Sequence, residues 1–137
     1  YRFTFEKHWG TFPMAFWIHT WVEGSDDEWT PPVPKAVPHK GYPVLRVEWQ
    51  DYELQFSAPA QLAHFIEVLA KKPLPTSLHL SALRQAPVGP NGHWLSRLPS
   101  TLKSPRIREK LVQAMKLVYT EAVMQDGSDF RVNSSID

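Results

Sequence analysis

Residues 24–43, GSDDEWTPPVPKAVPHKGYP, hold five prolines and two glycines and divide the chain more firmly than any other stretch. Proline lacks the N–H that a sheet ladder uses, so no central strand runs through this segment. The chain on either side must fold as separately hydrogen-bonded runs joined by a long Pro-rich loop. Loops of this length are uncommon in compact domains and are often functional. The PPVPK core suits a polyproline II ligand for an aromatic groove, although an extended connection packed on the domain is the plainer reading.

Before the loop, residues 2–9 alternate through Phe3, Phe5 and His8 or Trp9. Residues 14–23 carry Phe16, Ile18, Thr20 and Val22 on one face and Trp17, His19 and Trp21 on the other, with Gly10 and Pro13 between the two runs. An early hairpin is expected. Its second strand is apolar on both faces, which places it centrally or beneath a helix or partner and leaves room for a homodimer.

After the loop, Val44, Arg46 and Glu48 alternate against Leu45, Val47 and Trp49, and residues 53–56 return as the second strand of another hairpin. Ser57 and Pro59 introduce a helix over about 58–72, with Leu62, Phe65, Ile66 and Leu69 on one stripe and Lys71, Lys72 and Pro73 at its end. Leu78, Leu80 and Ala82 alternate with His79, Ser81 and Leu83, a fifth strand before the GPNG turn at 89–92. The last helix spans about 105–124, with Ser104 as N-cap, Pro105 in the first helical position and Gly127 available to close it. Ile107, Leu111, Ala114, Met115, Val118 and Ala122 form its apolar stripe, opposite Arg106, Glu109, Lys110, Gln113 and Lys116. Residues 126–137 read as a largely extended or frayed tail, with a short extended piece around 130–132. The sum is an α+β single domain over 1–137: about five mostly antiparallel strands and two main helices in the order ββ, loop, ββαβ, loop, α.

Composition supports an independently folding chain. A length of 137 residues, 42% hydrophobic and 12% aromatic, suffices for a core. No cysteine is present, which removes disulfides, thiolate zinc sites and cysteine nucleophiles and fits a reducing compartment. The longest apolar run, residues 14–22, is interrupted by His19, so no membrane span or membrane partner is expected. No secretory leader is legible, and a cytoplasmic location is the default expectation.

The formal net charge of +1 conceals a strong polarity. Residues 1–70 hold five bases against nine acids, and residues 117–137 one base against four acids. Between them, residues 71–116 hold nine bases against Glu109 alone, a net of +8. The segment HWLSRLPSTLKSPRIREKLVQAMK, residues 93–116, leads a hydroxyl-rich loop into a basic helix start. Unpaired N–H groups at a helix start favour anions, so Ser100, Thr101, Lys103, Ser104, Arg106 and Arg108 are candidate phosphate ligands. Lys71, Lys72, Arg84, Arg97 and Lys110 extend the footprint, and His93 and Trp94 suit stacking on an unpaired base.

Each element of that reading has a plainer counterpart. Ser104 caps its helix with or without a ligand, a basic helix face is commonly solvated surface, and the acidic termini are placed to neutralise the basic segment from within. Bases in a first helical turn oppose the dipole at roughly 0.3–1 kcal/mol per exposed charge, a cost that points modestly toward function. Arg108 falls beside Leu111 and Met115 on the apolar flank, where a guanidinium snorkels outward, pairs with a buried carboxylate or reaches into a site. Among the six tryptophans, Trp9, Trp17, Trp21 and Trp49 suit core or sheet faces, while Trp29 and Trp94 lie in loops as candidate exposed anchors.

Enzyme signatures are weak. The six histidines, His8, His19, His39, His64, His79 and His93, form no HxH, HExxH or i, i+4 pair, and no glycine-rich phosphate loop or GxSxG is present. No catalytic residue, metal site or cofactor is assigned. His64 is expected to be exposed; His19 with Glu23, or His79 with His93, would have to meet in space to act as acid and base. Ser77 and Ser81 have no visible base. The leading expectation is a small non-enzymatic binding protein that takes nucleic acid or another phosphate-bearing ligand through residues 93–116. The alternative is an adaptor or inhibitor gripping an acidic protein surface, and the third is a small enzyme acting on a phosphorylated ligand.

Overall fold

The alternating run at 44–49 forms the middle of a three-stranded antiparallel sheet in the computed structural model, which describes residues 1–9, 18–24, 28–75, 94–124 and 130. Strand β4 is Tyr42–Trp49; β1 (Arg2–Glu6) lies on one side of it and β5 (Tyr52–Phe56) on the other. Phe3 stands opposite Leu45 and Leu45 opposite Phe56, while Val47 faces Leu54. Side chains alternate across a strand, so this register buries Leu45, Val47, Leu54 and Phe56 together. Arg46, Glu48, Glu53 and Gln55 emerge on the other face. A two-residue turn joins β4 to β5, with Gln50 in the left-handed region at φ 55°.

The second hairpin is therefore as expected, but the early one is not. Strand β1 pairs with β4, some 40 residues away, and β2 (Thr20–Trp21) forms a separate two-stranded ladder with β3 (Trp29–Thr30). The Pro-rich segment thus contributes a short strand of its own before its prolines begin. The central strand is β4, and Trp29 is half-buried, edge-on to Trp9 at 5.9 Å, not an exposed loop anchor. The fifth strand expected at residues 78–82 lies outside the described residues. What is established is a small α+β fold of one three-stranded antiparallel sheet and two helices.

Gly41 lets β4 begin where it does. Its φ is 108°, and a Cβ there would stand 2.7 Å from the carbonyl oxygen of Glu6, at the end of β1. Only glycine fits both the conformation and the approach. Val37 and Gly41 exchange backbone hydrogen bonds across the turn that delivers the chain to β4.

Helix α1 (Pro59–Ala70) buries Leu62, Phe65, Val68 and Leu69 on the sheet's apolar face. It stops at Lys71, directly before Lys72 and Pro73, as expected. Its N-cap is Ala58, and no side chain caps its first turn. Helix α2 (Pro105–Tyr119) packs Leu111, Val112 and Met115 into the same core and continues as a wider helical turn over Thr120–Met124. Two short 3-10 turns, Trp94–Arg97 and Ser100–Lys103, carry the chain into α2 and bury Trp94, Leu95 and Leu102. Phe130 is buried edge-on against Phe3, with 5.4 Å between ring centres, so this one residue of the expected tail belongs to the core.

Candidate functional site

Charge is divided in space as it is along the sequence. On the outer sheet face Arg2 bonds Glu48 and Glu53, and Arg46 bonds Glu6 and Glu53 at 2.7 and 3.3 Å. Arg46 also donates to the Thr4 hydroxyl at 2.7 Å. The Glu53 carboxyl is held below the usual carboxylate range, first by the Gln55 side-chain hydrogen bond and then by the two arginines. These four ion pairs lie on the sheet face that points away from the helices. Glu6, Glu48 and Glu53 are thus engaged by local arginines, not by the basic segment.

The basic residues themselves are less uniform than their spacing suggests. Lys71 and Lys72 are exposed at the carboxyl end of α1, where the helix dipole favours cations. Ser100 and Thr101 are exposed on a 3-10 turn, and Lys103 is half-buried at its end. Ser104 occupies the N-cap position of α2, but its hydroxyl donates to the Thr101 carbonyl at 3.2 Å and caps no N–H of the helix. Arg106 and Lys110 are exposed, on one stripe with Gln113 and Leu117. Arg97 lies in the first 3-10 turn, its side chain not among those described; Arg84 and His93 fall outside the described residues, as do Ser77, Ser81 and His79.

Two expected site residues are buried. Trp94, expected to stack on a base, is 5% exposed and stacks on Phe65 at 5.3 Å with His64 edge-on at 5.7 Å. It belongs to the core, because the 3-10 turn rolls its indole inward over α1. His64 is accordingly half-buried, and desolvation lowers its pKa. Arg108 is only 7% exposed, yet its nitrogens are not buried, so its stem is covered while its head reaches an open groove. It lines a groove of about 210 Å³ between the end of α1 and the first half of α2. Lys72 comes to this groove from beyond α1, and Glu109, Gln113 and Lys116 line it from α2. Arg108, Val112 and Lys116 recur at i, i+4 and i+8, so one helical flank supplies the α2 wall.

Among the described residues the guanidinium of Arg108 makes no hydrogen bond or ion pair. Three cations and one carboxylate line this groove. Sequence reasoning included Lys72 and Arg108 but left out Lys116, Glu109 and Gln113. Their spacing from Arg108 was the available signal; the position of α1 was not.

A second polar cluster carries no net charge. His19 is buried and its Nδ1 lies 2.9 Å from the Pro31 carbonyl oxygen, which can only accept, so Nδ1 bears the proton. Its Nε2 is then the acceptor for Gln61 Nε2 at 3.2 Å. The Gln61 amide also donates to the Ser57 hydroxyl at 2.7 Å and accepts the Ser57 N–H at 2.9 Å, while that hydroxyl donates to the Trp9 carbonyl at 3.1 Å. Burial lowers the His19 pKa. The pairing of His19 with Glu23 is not what forms; instead the histidine ties β2 and the proline segment to α1.

A larger groove, about 350 Å³, runs between Pro31–Lys35 on one side and Ser57–Ala60 on the other. Its walls are mostly apolar, and the Ser57 hydroxyl is already engaged. The PPVPK segment is thus packed along the start of α1. Among the described residues no group of three His, Asp or Glu side chains comes together to hold a metal ion, and no helix is long and apolar enough to cross a membrane. Comparison with protein families, with curated proteins and with solved structures finds no match for the chain.

Proposed function

We propose that this is a non-enzymatic binding protein that takes nucleic acid, or another phosphate-bearing ligand, on the basic side of α2. One observation carries the reading: Arg108, its stem buried, lines one groove with Lys72 and Lys116, and among the described residues its guanidinium has no carboxylate partner. Its nitrogens are not buried, so they stay open to a ligand in the groove. An anion entering the groove supplies the missing partner, and phosphate matches the guanidinium fork in two parallel hydrogen bonds. Arg106 and Lys110 continue the positive surface along the exposed stripe, where they suit successive phosphates of a backbone.

Fluorescence anisotropy with a labelled single-stranded oligonucleotide at low salt tests this. Binding that weakens steeply as salt rises, and falls roughly tenfold or more in Arg106→Glu with Lys110→Glu, is the expected outcome. Unchanged affinity in that double variant at low salt refutes it. A second reading, an adaptor for an acidic protein surface, is favoured by Leu117, 60% exposed on the same stripe as Arg106 and Lys110. A contact anchored by Leu117 would change little with salt.

A further inference from the structure

We infer that the groove between α1 and α2 is built for a phosphomonoester, the terminal phosphate of a nucleic-acid strand and not its internal phosphodiesters. This rests on the phosphate-binding reading above and narrows it. Three features decide the ligand.

The first is charge. Lys72, Arg108 and Lys116 face the single carboxylate of Glu109, a local balance of three positive against one negative. A phosphomonoester carries about −1.5 to −2 at neutral pH, its second proton leaving near pH 6. That charge matches the groove. An internal phosphodiester brings only one.

The second is size. At about 210 Å³ the groove is smaller than the roughly 300–1,000 Å³ of sites that enclose whole small molecules. It admits a head group with the atoms that attach it. Among the described residues that line it none is aromatic and able to stack on a base, and Trp94, the aromatic nearest in sequence to the basic loop, is committed to Phe65 in the core.

The third is the disposition of donors. Arg108 presents a planar fork from a buried position, which fixes direction, while Lys72 and Lys116 are exposed point charges on flexible stems. Lys116 lies two turns beyond Arg108, about 12 Å along the helix axis, and shares the α2 wall of the groove with it. The result is one oriented double donor with two adjustable charges around it. A terminal phosphate, with three free oxygens and one attachment, can meet all three; an internal phosphate is left with two free oxygens and is flanked on both sides. Gln113 on the same wall adds an amide that can donate to the ester oxygen or accept from a neighbouring sugar hydroxyl.

The test uses oligonucleotides of one sequence that end in a 5′-phosphate, in a 3′-phosphate or in hydroxyls only, measured by anisotropy against the full chain. The phosphorylated end should bind about tenfold tighter than the hydroxyl end at about pH 7.5, and the difference should shrink as pH falls below about 6. The comparison of 5′ with 3′ ends identifies which terminus is read. Arg108→Met should erase the preference for phosphorylated ends, whereas Arg106→Glu with Lys110→Glu should weaken both ends equally. If Arg108→Met does not fold, Lys116→Ala and Arg108→Lys should each reduce the preference. Equal binding of phosphorylated and hydroxyl ends by the wild-type chain overturns the inference while leaving nucleic-acid binding intact. If no oligonucleotide binds but calorimetry shows inorganic phosphate or a simple phosphomonoester bound in an Arg108-dependent way, the nucleic-acid reading fails and the phosphomonoester site stands. Absence of both kinds of binding refutes both.

Discussion

Replacing Gln61 by leucine removes three hydrogen bonds from one buried side chain at nearly constant volume, and the structure fixes which groups are left behind. The Ser57 hydroxyl keeps its bond to the Trp9 carbonyl. The Ser57 N–H and the His19 Nε2 lose the partners they have in Gln61, and both residues are buried. Each orphaned buried group costs about 1–3 kcal/mol, so two give roughly 2–6 kcal/mol. The leucine side chain returns on the order of 1 kcal/mol of apolar transfer. A net loss of about 3 kcal/mol is expected, a large part of a total stability of roughly 5–15 kcal/mol. At roughly 4 °C per kcal/mol for a chain of this length, the midpoint should fall by on the order of 12 °C. Urea unfolding followed by circular dichroism and by tryptophan fluorescence gives both the loss and, from the slope, whether the folded state has loosened. A companion cycle with His19→Phe should show strong non-additivity, because the second substitution removes one of the stranded acceptors. A loss below about 1 kcal/mol with an unchanged slope would refute the account of the network.

Stability should rise with pH across the histidine range. His19 and His64 both titrate lower in the folded state than the ordinary 6.5, so between those folded values and 6.5 the unfolded chain binds more protons. Their contribution is complete above 6.5 and is lost as pH falls through and below it; His64→Phe should flatten the curve measured by urea midpoints, and an unchanged curve in both single variants counts against burial as the cause. Arg108→Leu should change the stability of the ligand-free protein by no more than about 0.5 kcal/mol, because the guanidinium it removes is open to the groove and leucine keeps the packing of the stem. A larger loss of stability would mean that Arg108 is held by contacts within the chain.

The elements whose signals are local were legible in the sequence. Ser104 and Pro105 marked the start of α2, Lys71, Lys72 and Pro73 the end of α1, and the alternation at 44–49 the register of β4. Pairing across the chain was not. Phe3 and Leu45 meet because the Pro-rich segment folds back through the turn at Gly41, and no local pattern says that β1 prefers β4 over the run nearest to it. The same limit applies to the site. Ser104 was readable as a cap position, yet its hydroxyl turns to Thr101, a choice between two local partners that the sequence does not rank. Trp94 looked available because its loop is polar, but a 3-10 turn directs it inward. Ser57 and Gln61 stand at i and i+4 around a helix start, a visible cue for a side chain reaching back to the backbone, whereas the part of His19 depends on where β2 lies.

Arg46 shows by contrast why Arg108 is the informative arginine. Arg46, on the sheet, is also drawn partly out of water, and the chain surrounds it with Thr4, Glu6 and Glu53, so that each branch of its guanidinium has an acceptor. Among the described residues Arg108 has no acceptor, and its guanidinium nitrogens stay open to the groove. A guanidinium left to solvent is available to an external partner, and the neighbours of Arg108 narrow what that partner would be. Lys72 and Lys116 add positive charge to the same groove where an internal ion pair would have placed carboxylates, leaving Glu109 outnumbered. A positively charged protein partner would meet repulsion there, and a neutral one would leave the guanidinium as it is. If the phosphate reading holds, the groove takes an anion that brings more than one negative charge to a single point, which is the property that separates a terminal phosphate from both a carboxylate and a phosphodiester.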